Sequence, residues 1–109
     1  MIISSILSLG LALTVQASDP TRVPREAFTN CLTRFMTQSV EQHKSASEFQ
    51  TALPQQCTSE QQAYSEAVRR REAGFRTPAG EIAQIIHDEV EDARTNIQGM
   101  FEMSTTPRT

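Results

Sequence analysis

From Ser18 to Thr109 the chain carries only fifteen Leu, Ile, Val and Phe side chains among 92 residues, a thin supply for a self-sufficient core. Such a chain needs help to stay folded, from a covalent cross-link or from a partner that covers its apolar surface. The overall apolar share of 38% hides this, because eleven of those residues fall within the first 17 positions. With net charge -3 and 109 residues, the remainder has room for one small domain. It cannot hold a doubly wound nucleotide-binding sheet, and its charge argues against general nucleic-acid binding.

The apolar stretch Ile2 to Val15 leads into Val15-Gln16-Ala17, which puts small or short residues at the two positions a signal peptidase reads. Residues 1–17 are therefore expected to be a cleaved signal peptide. A stretch of about 14 residues rises roughly 21 Å as a helix, short of a hydrocarbon core of about 30 Å. The mature chain, starting at Ser18, is expected in a periplasm or outside the cell, without a transmembrane segment. In such an oxidising compartment the two cysteines, Cys31 and Cys57, are expected to pair. Closing that loop would stabilise the fold by roughly 3 to 4 kcal/mol.

Helical periodicity runs through the rest. Ala27, Phe28, Cys31, Leu32, Phe35, Met36 and Val40 recur at steps of three and four, predicting a helix from Pro24 to about 42–44. Ser45-Ala46-Ser47-Glu48 reads as a capping box opening a two-turn helix that Pro54 stops. Thr58-Ser59-Glu60-Gln61 reads as a second box, starting a helix over 59–73 with Ala63, Tyr64, Ala67, Val68 and Arg71 on one face, the stem of Arg71 lying along the rim. Gly74 is expected to end it, with Phe75 folding back onto the core. Thr77 and Pro78 are expected to open the longest helix, whose stripe is Ile82, Ile85, Ile86, Val90, Ala93, Ile97, Met100 and Phe101, with Glu89 outside. No segment alternates with the period of a strand. The expected fold is an all-α antiparallel bundle of three main helices and one short one over 18–103, followed by a disordered tail over 104–109.

Candidate sites are few. Arg69, Arg70 and Arg71, with Arg76 near, form the one basic cluster. They suit the end of a helix macrodipole and local Glu66–Arg70 and Glu72–Arg76 pairs, and they are also a possible contact for an acidic partner. Met103 is expected to be exposed at the far end, whereas Met36 and Met100 are assigned to the core. His87 and Glu91, one helical turn apart with Asp88 beside them, match metal-ligand spacing but have no further ligand motif, and His43 reads as a loop residue. No catalytic residues, no metal and no cofactor are expected, since there is no nucleophile elbow, no His-x-x-x-His pair and no Gly-rich phosphate loop.

What remains is a small exported protein that acts by binding an unknown protein partner or a second copy of itself. The stretch Gln56-Cys57-Thr58-Ser59-Glu60-Gln61-Gln62-Ala63-Tyr64, about a tenth of the chain, resembles the second-cysteine region of the small acid-stress chaperones of the bacterial periplasm. In that family the cysteines stand farther apart than the 26 positions that separate Cys31 from Cys57. The resemblance implies, as the alternative, a chaperone that unfolds conditionally in acid. On either reading, intact mass of the exported protein is expected to give a chain beginning at Ser18 and two hydrogens lighter than its fully reduced form. Retention of Met1 to Ala17, or two free thiols, would contradict both.

Overall fold

The computed structural model of the chain describes residues 19–107; the expected signal peptide lies outside them. Four α-helices follow one another: α1 (Arg22–Glu41), α2 (Ala46–Ala52), α3 (Thr58–Gly74) and α4 (Ala79–Thr105), with a 3₁₀ turn over Leu53–Gln55 between α2 and α3. There is no strand among the described residues. The all-α bundle expected from periodicity is the fold observed.

Direction is fixed by a few pairs. Cys31 in mid-α1 bonds Cys57 at the entry to α3, and Phe28, one turn earlier, meets Tyr64, two turns later, so α1 and α3 are antiparallel. Arg94 reaches Gln61 while Arg71 reaches Glu89, so α4 also runs against α3 and alongside α1.

The core is small and largely aromatic in one half. Phe28, Leu32 and Met36 from α1, Phe49 and Leu53 from α2 and its 3₁₀ extension, Tyr64 and Val68 from α3, and Val90, Ile97 and Phe101 from α4 form one cluster. Phe49 is its hub in that half. Its ring stacks at 4.1 Å and 4° on Phe101 and at 5.2 Å and 16° on Phe35, so one side chain of a seven-residue helix clamps α1 to α4. The capping box predicted at Ser45 supports this helix: Ser45 Oγ accepts from Glu48 N–H at 3.1 Å, and the Glu48 carboxylate accepts from Ser45 N–H at 3.4 Å. The α-helix stops at Ala52, two residues before Pro54, as expected. Pro54 sits in the 3₁₀ turn, where a proline near the start removes only an N–H that had no partner to meet.

Several boundaries depart from expectation, each for a local reason. Pro24 lies inside the first turn of α1 rather than at its start. There Asp19 prepares the entry, its carboxylate accepting from the amide and hydroxyl of Thr21 at 2.9 and 2.6 Å, and the Thr21 side chain is buried. Thr58 does not cap α3: Cys57 occupies that position at φ 61, without a side-chain cap, because the cross-link and the sharp entry dictate the backbone there. Thr77 does not cap α4, whose boundary residue is Pro78. Ala27 and Ala63 face solvent. Helix α4 continues through Ser104 and Thr105, whose hydroxyls donate to the carbonyls of Met100 and Phe101 at 2.8 and 3.0 Å, so these two residues do not belong to a tail.

Gly74 is the most consequential departure. It stays within α3, and the left-handed residue is Arg76, at φ 60. Arg76 N–H donates to Ala73 O and Thr77 N–H to Glu72 O, each at 3.0 Å. This pair of bonds is the Schellman closure, two residues later than a glycine cap would place it. Helix α1 ends the same way, with His43 at φ 55 and bonds from His43 N–H to Val40 O and from Lys44 N–H to Ser39 O. The extra residues carry Phe75 out onto the turn, 74% exposed, instead of back onto the core. Met100 is also outside the core, at 41%.

Truncating Phe49 is expected to cost about 3–5 kcal/mol, the range for a buried phenylalanine that leaves a cavity. Phe75→Ala is expected to be nearly neutral. Urea midpoints of the two variants check this, and equal midpoints would contradict the assignment of Phe49 as the hub.

Candidate functional site

Helices α3 and α4 are joined by a polar clasp on one carboxylate. Tyr64, in the second turn of α3, points inward with its ring against Phe28, and its hydroxyl donates to Glu89 Oε2 at 3.0 Å. Arg71, two turns on, donates from its guanidinium to Glu89 Oε1 at 2.6 Å and also lies 3.8 Å from Glu72. Both oxygens of Glu89 are thus engaged. The spacing explains why: residues 64 and 71 are seven apart, so they share a face of α3, and the carboxylate fits between them. Burial and the Glu89 carboxylate push the Tyr64 hydroxyl up to about 12, and the same carboxylate raises Arg71 above its already high value.

The clasp forms one wall of a shallow groove of about 400 Å³, lined by Arg25 and Thr29 of α1, Tyr64 of α3, and Glu89, Asp92 and Asn96 of α4. Near its end, Asp19 is held below the usual carboxylate range, first by the Thr21 hydroxyl and amide and then by Arg25 and Arg71. The antiparallel pairing of α1 and α3, fixed by Phe28–Tyr64 and Cys31–Cys57, puts the start of α1 and the end of α3 at one end of the bundle.

A second tie lies farther along α4. Arg94 donates to Glu91 at 2.7 Å, to the carbonyl of Pro54 at 3.3 Å and to the side chain of Gln61. One guanidinium so links α4 to α3 and to the 3₁₀ turn.

The predicted basic cluster is divided by the fold. Arg71 is turned inward into the clasp, and Arg69 and Arg70 face solvent, with Arg69 paired to Glu66 rather than Glu66 to Arg70. Met103 is 81% exposed as expected, but it sits on the last turns of α4, at the opposite end of the bundle from Arg69 to Arg71. These four residues do not make one contact surface. Glu89, placed outside by its sequence position, is half-buried and central to the clasp. Its signal in the sequence was the seven-residue spacing of Tyr64 and Arg71.

His87 and Asp88 face solvent; Asp88 accepts from Gln84 at 2.8 Å and Glu91 is taken by Arg94, so they do not converge. Among the described residues, the group with metal-ligand proximity is Cys31, Cys57 and Glu60, within 4.8 Å. Its two sulfurs are consumed by their bond to each other. His43 is an exposed turn residue.

Compared with models of known protein families, with curated proteins and with solved structures, the chain matches none.

Tyr64 is the chain's only tyrosine, and there is no tryptophan, so its ionisation is readable by absorbance. It is expected to titrate near 12, and in Glu89→Gln distinctly lower. A phenol ionises more easily in the unfolded chain, near 10, so the folded state holds its proton longer. Stability from this group is complete below pH 10 and is lost as pH rises through 12. Wild-type protein is expected to lose roughly 1–2 kcal/mol more than Tyr64→Phe over that interval. Equal losses would mean that the hydroxyl is not held as described.

Proposed function

We propose that the chain is exported and acts by binding another protein, without catalysing a reaction. One observation carries this reading: an oxidised, cross-linked body with a thin core still leaves Val23, Phe75, Met100 and Met103 exposed. Single exposed apolar residues are ordinary. Four large ones on a chain this poor in them are a sizeable fraction of the supply, and a partner that covers them would add the stability the core lacks. Export is supported by the leader sequence and by the disulfide. Within the described residues no helix is long and apolar enough to cross a membrane.

The acid-chaperone reading stands second, favoured by the clasp. Acid strong enough to protonate carboxylates removes the charge that Arg71 pairs with, while the arginines stay positive. The first turns of α4 would then be freed to expose Ile82 and Val90, while Phe101 stays stacked on Phe49 and Cys31–Cys57 still ties α1 to α3.

Affinity capture from the exporting compartment, using the exported protein as bait at pH 7 and pH 3, separates the two. A binding module is expected to retain one stoichiometric partner at pH 7, and Phe75→Ser or Met103→Ser is expected to weaken the capture. A chaperone is expected to retain many proteins at pH 3 alone and to suppress light scattering by an unrelated client there. Neither pattern at either pH would sink both readings.

A further inference from the structure

Around the cross-link stands a third side chain that the fold does not use. Cys31 Sγ, Cys57 Sγ and a carboxylate oxygen of Glu60 all lie within 4.8 Å of one another. Two elements bring them together: Cys31 is in mid-α1, Cys57 immediately precedes α3, and Glu60 lies in the first turn of α3. All three residues are half-buried.

Glu60 is the member without an explanation. The half-buried carboxylates among the described residues are Glu60, Glu72, Glu89 and Glu91. Glu89 is taken by Tyr64 and Arg71, Glu72 lies against Arg71, and Glu91 is taken by Arg94. Among the same residues Glu60 has neither an ion pair nor a side-chain hydrogen bond. It stands where a capping-box glutamate would accept from the cap amide, but Cys57 occupies the cap in the left-handed region, and α3 has no side-chain cap. A partly desolvated carboxylate is thus aimed at two sulfurs with nothing to neutralise it.

Every copy of the chain carries Cys31 and Cys57 as thiols before they pair. In that state the corner holds two soft sulfur donors and one oxygen donor, a set suited to zinc rather than to magnesium or calcium. Two sulfurs bound at about 2.3 Å to a tetrahedral ion stand about 3.8 Å apart. The Cα atoms of the two cysteines are 6.0 Å apart, so rotation about their Cα–Cβ bonds opens the sulfurs to that separation with the backbone in place. Rotation of the Glu60 side chain brings its oxygen onto the ion, and water completes the fourth position.

We propose that, before Cys31 and Cys57 pair, their thiolates and the Glu60 carboxylate hold one zinc ion, which links α1 to the start of α3 in place of the covalent bond. Oxidation ends this state. An incoming disulfide takes two electrons from the two thiolates and two protons from water to become a dithiol, the Cys31–Cys57 bond forms, and the zinc, left with one carboxylate, departs. The proposal needs neither the export reading nor the binding reading, so it fails separately from both.

The test starts from the oxidised protein, reduced with a phosphine and titrated with zinc, followed by helical ellipticity and by competition with a chromophoric chelator. Uptake of one zinc per chain is expected, with recovery of the ellipticity lost on reduction. Cobalt in place of zinc is expected to show thiolate-to-metal charge transfer, which reads the ligands whatever the state of the fold. Cys31→Ser is expected to lose the uptake. Glu60→Gln, which leaves the cross-link intact and the oxidised protein as helical as wild type, is expected to weaken zinc binding about ten-fold after reduction. His87→Gln, in the ligand pattern that the fold keeps apart, is expected to bind as wild type.

No uptake by the reduced protein would overturn the proposal. So would one zinc shared between two chains in sedimentation equilibrium, an affinity that Glu60→Gln leaves unchanged, or one that His87→Gln lowers.

Discussion

The covalent bond between Cys31 and Cys57 is the constraint on which the other contacts rest. It joins the middle of α1 to the first residue before α3, enclosing α2 and both connections in one loop. Without it, a chain of this composition would have to fix those segments with burial alone, against a conformational entropy cost of about 1–2 kcal/mol per residue for the backbone. With it, the loop is closed in advance and α2 needs only one well-placed side chain. Phe49 supplies that, stacked between Phe35 and Phe101.

Two ends of the bundle are held by different physics. Near the cross-link and the Phe49 stack, the ties between elements are apolar, covalent or, at Arg94, hydrogen bonds to the neutral side chain of Gln61 and the carbonyl of Pro54, and none of these needs an ionised carboxylate. Toward the other end the joint between α3 and α4 depends on Glu89 and its two donors, Tyr64 and Arg71, a partly buried group of charge-assisted hydrogen bonds. Breaking one member leaves the others half-satisfied in a low-dielectric setting, which costs more than an exposed ion pair returns. The molecule therefore has one end held by apolar and covalent contacts and another held by charge-assisted hydrogen bonds, and the exposed Phe75 belongs to the second.

The sequence was most legible where the periodicity was unbroken. Helices α1 and α4 carry their apolar stripes through several turns, and the short helix at Ser45 announces itself by its capping box, so their existence follows from spacing alone. The cysteine pairing follows from an even count and the compartment that the leader sequence predicts. Helix ends were less legible because two closures use His43 and Arg76 in the left-handed region, where glycine is the usual residue, and the nearby Gly74 drew the boundary toward itself. Phe75 was placed in the core for the same reason. Glu89 was misplaced because the hydrophobic stripe of α4 says nothing about a carboxylate that is buried by its partners; only a pairwise reading of Tyr64 and Arg71 on the facing helix exposes it. Arg69 to Arg71 looked like one patch in sequence. On a helix, adjacent residues point about 100° apart, and the third of the three turned inward.

The dependence of the whole fold on its cross-link is open to direct measurement. Two-dimensional amide NMR spectra of the oxidised protein, recorded at pH 7 before and after reduction by a phosphine, report every backbone position at once. Collapse of amide dispersion throughout the bundle, α4 included, with loss of most helical ellipticity, is the expected result. Spectra that keep their dispersion after complete reduction would show that the apolar core and the Glu89 clasp suffice alone, and would contradict a central role for the Cys31–Cys57 bond.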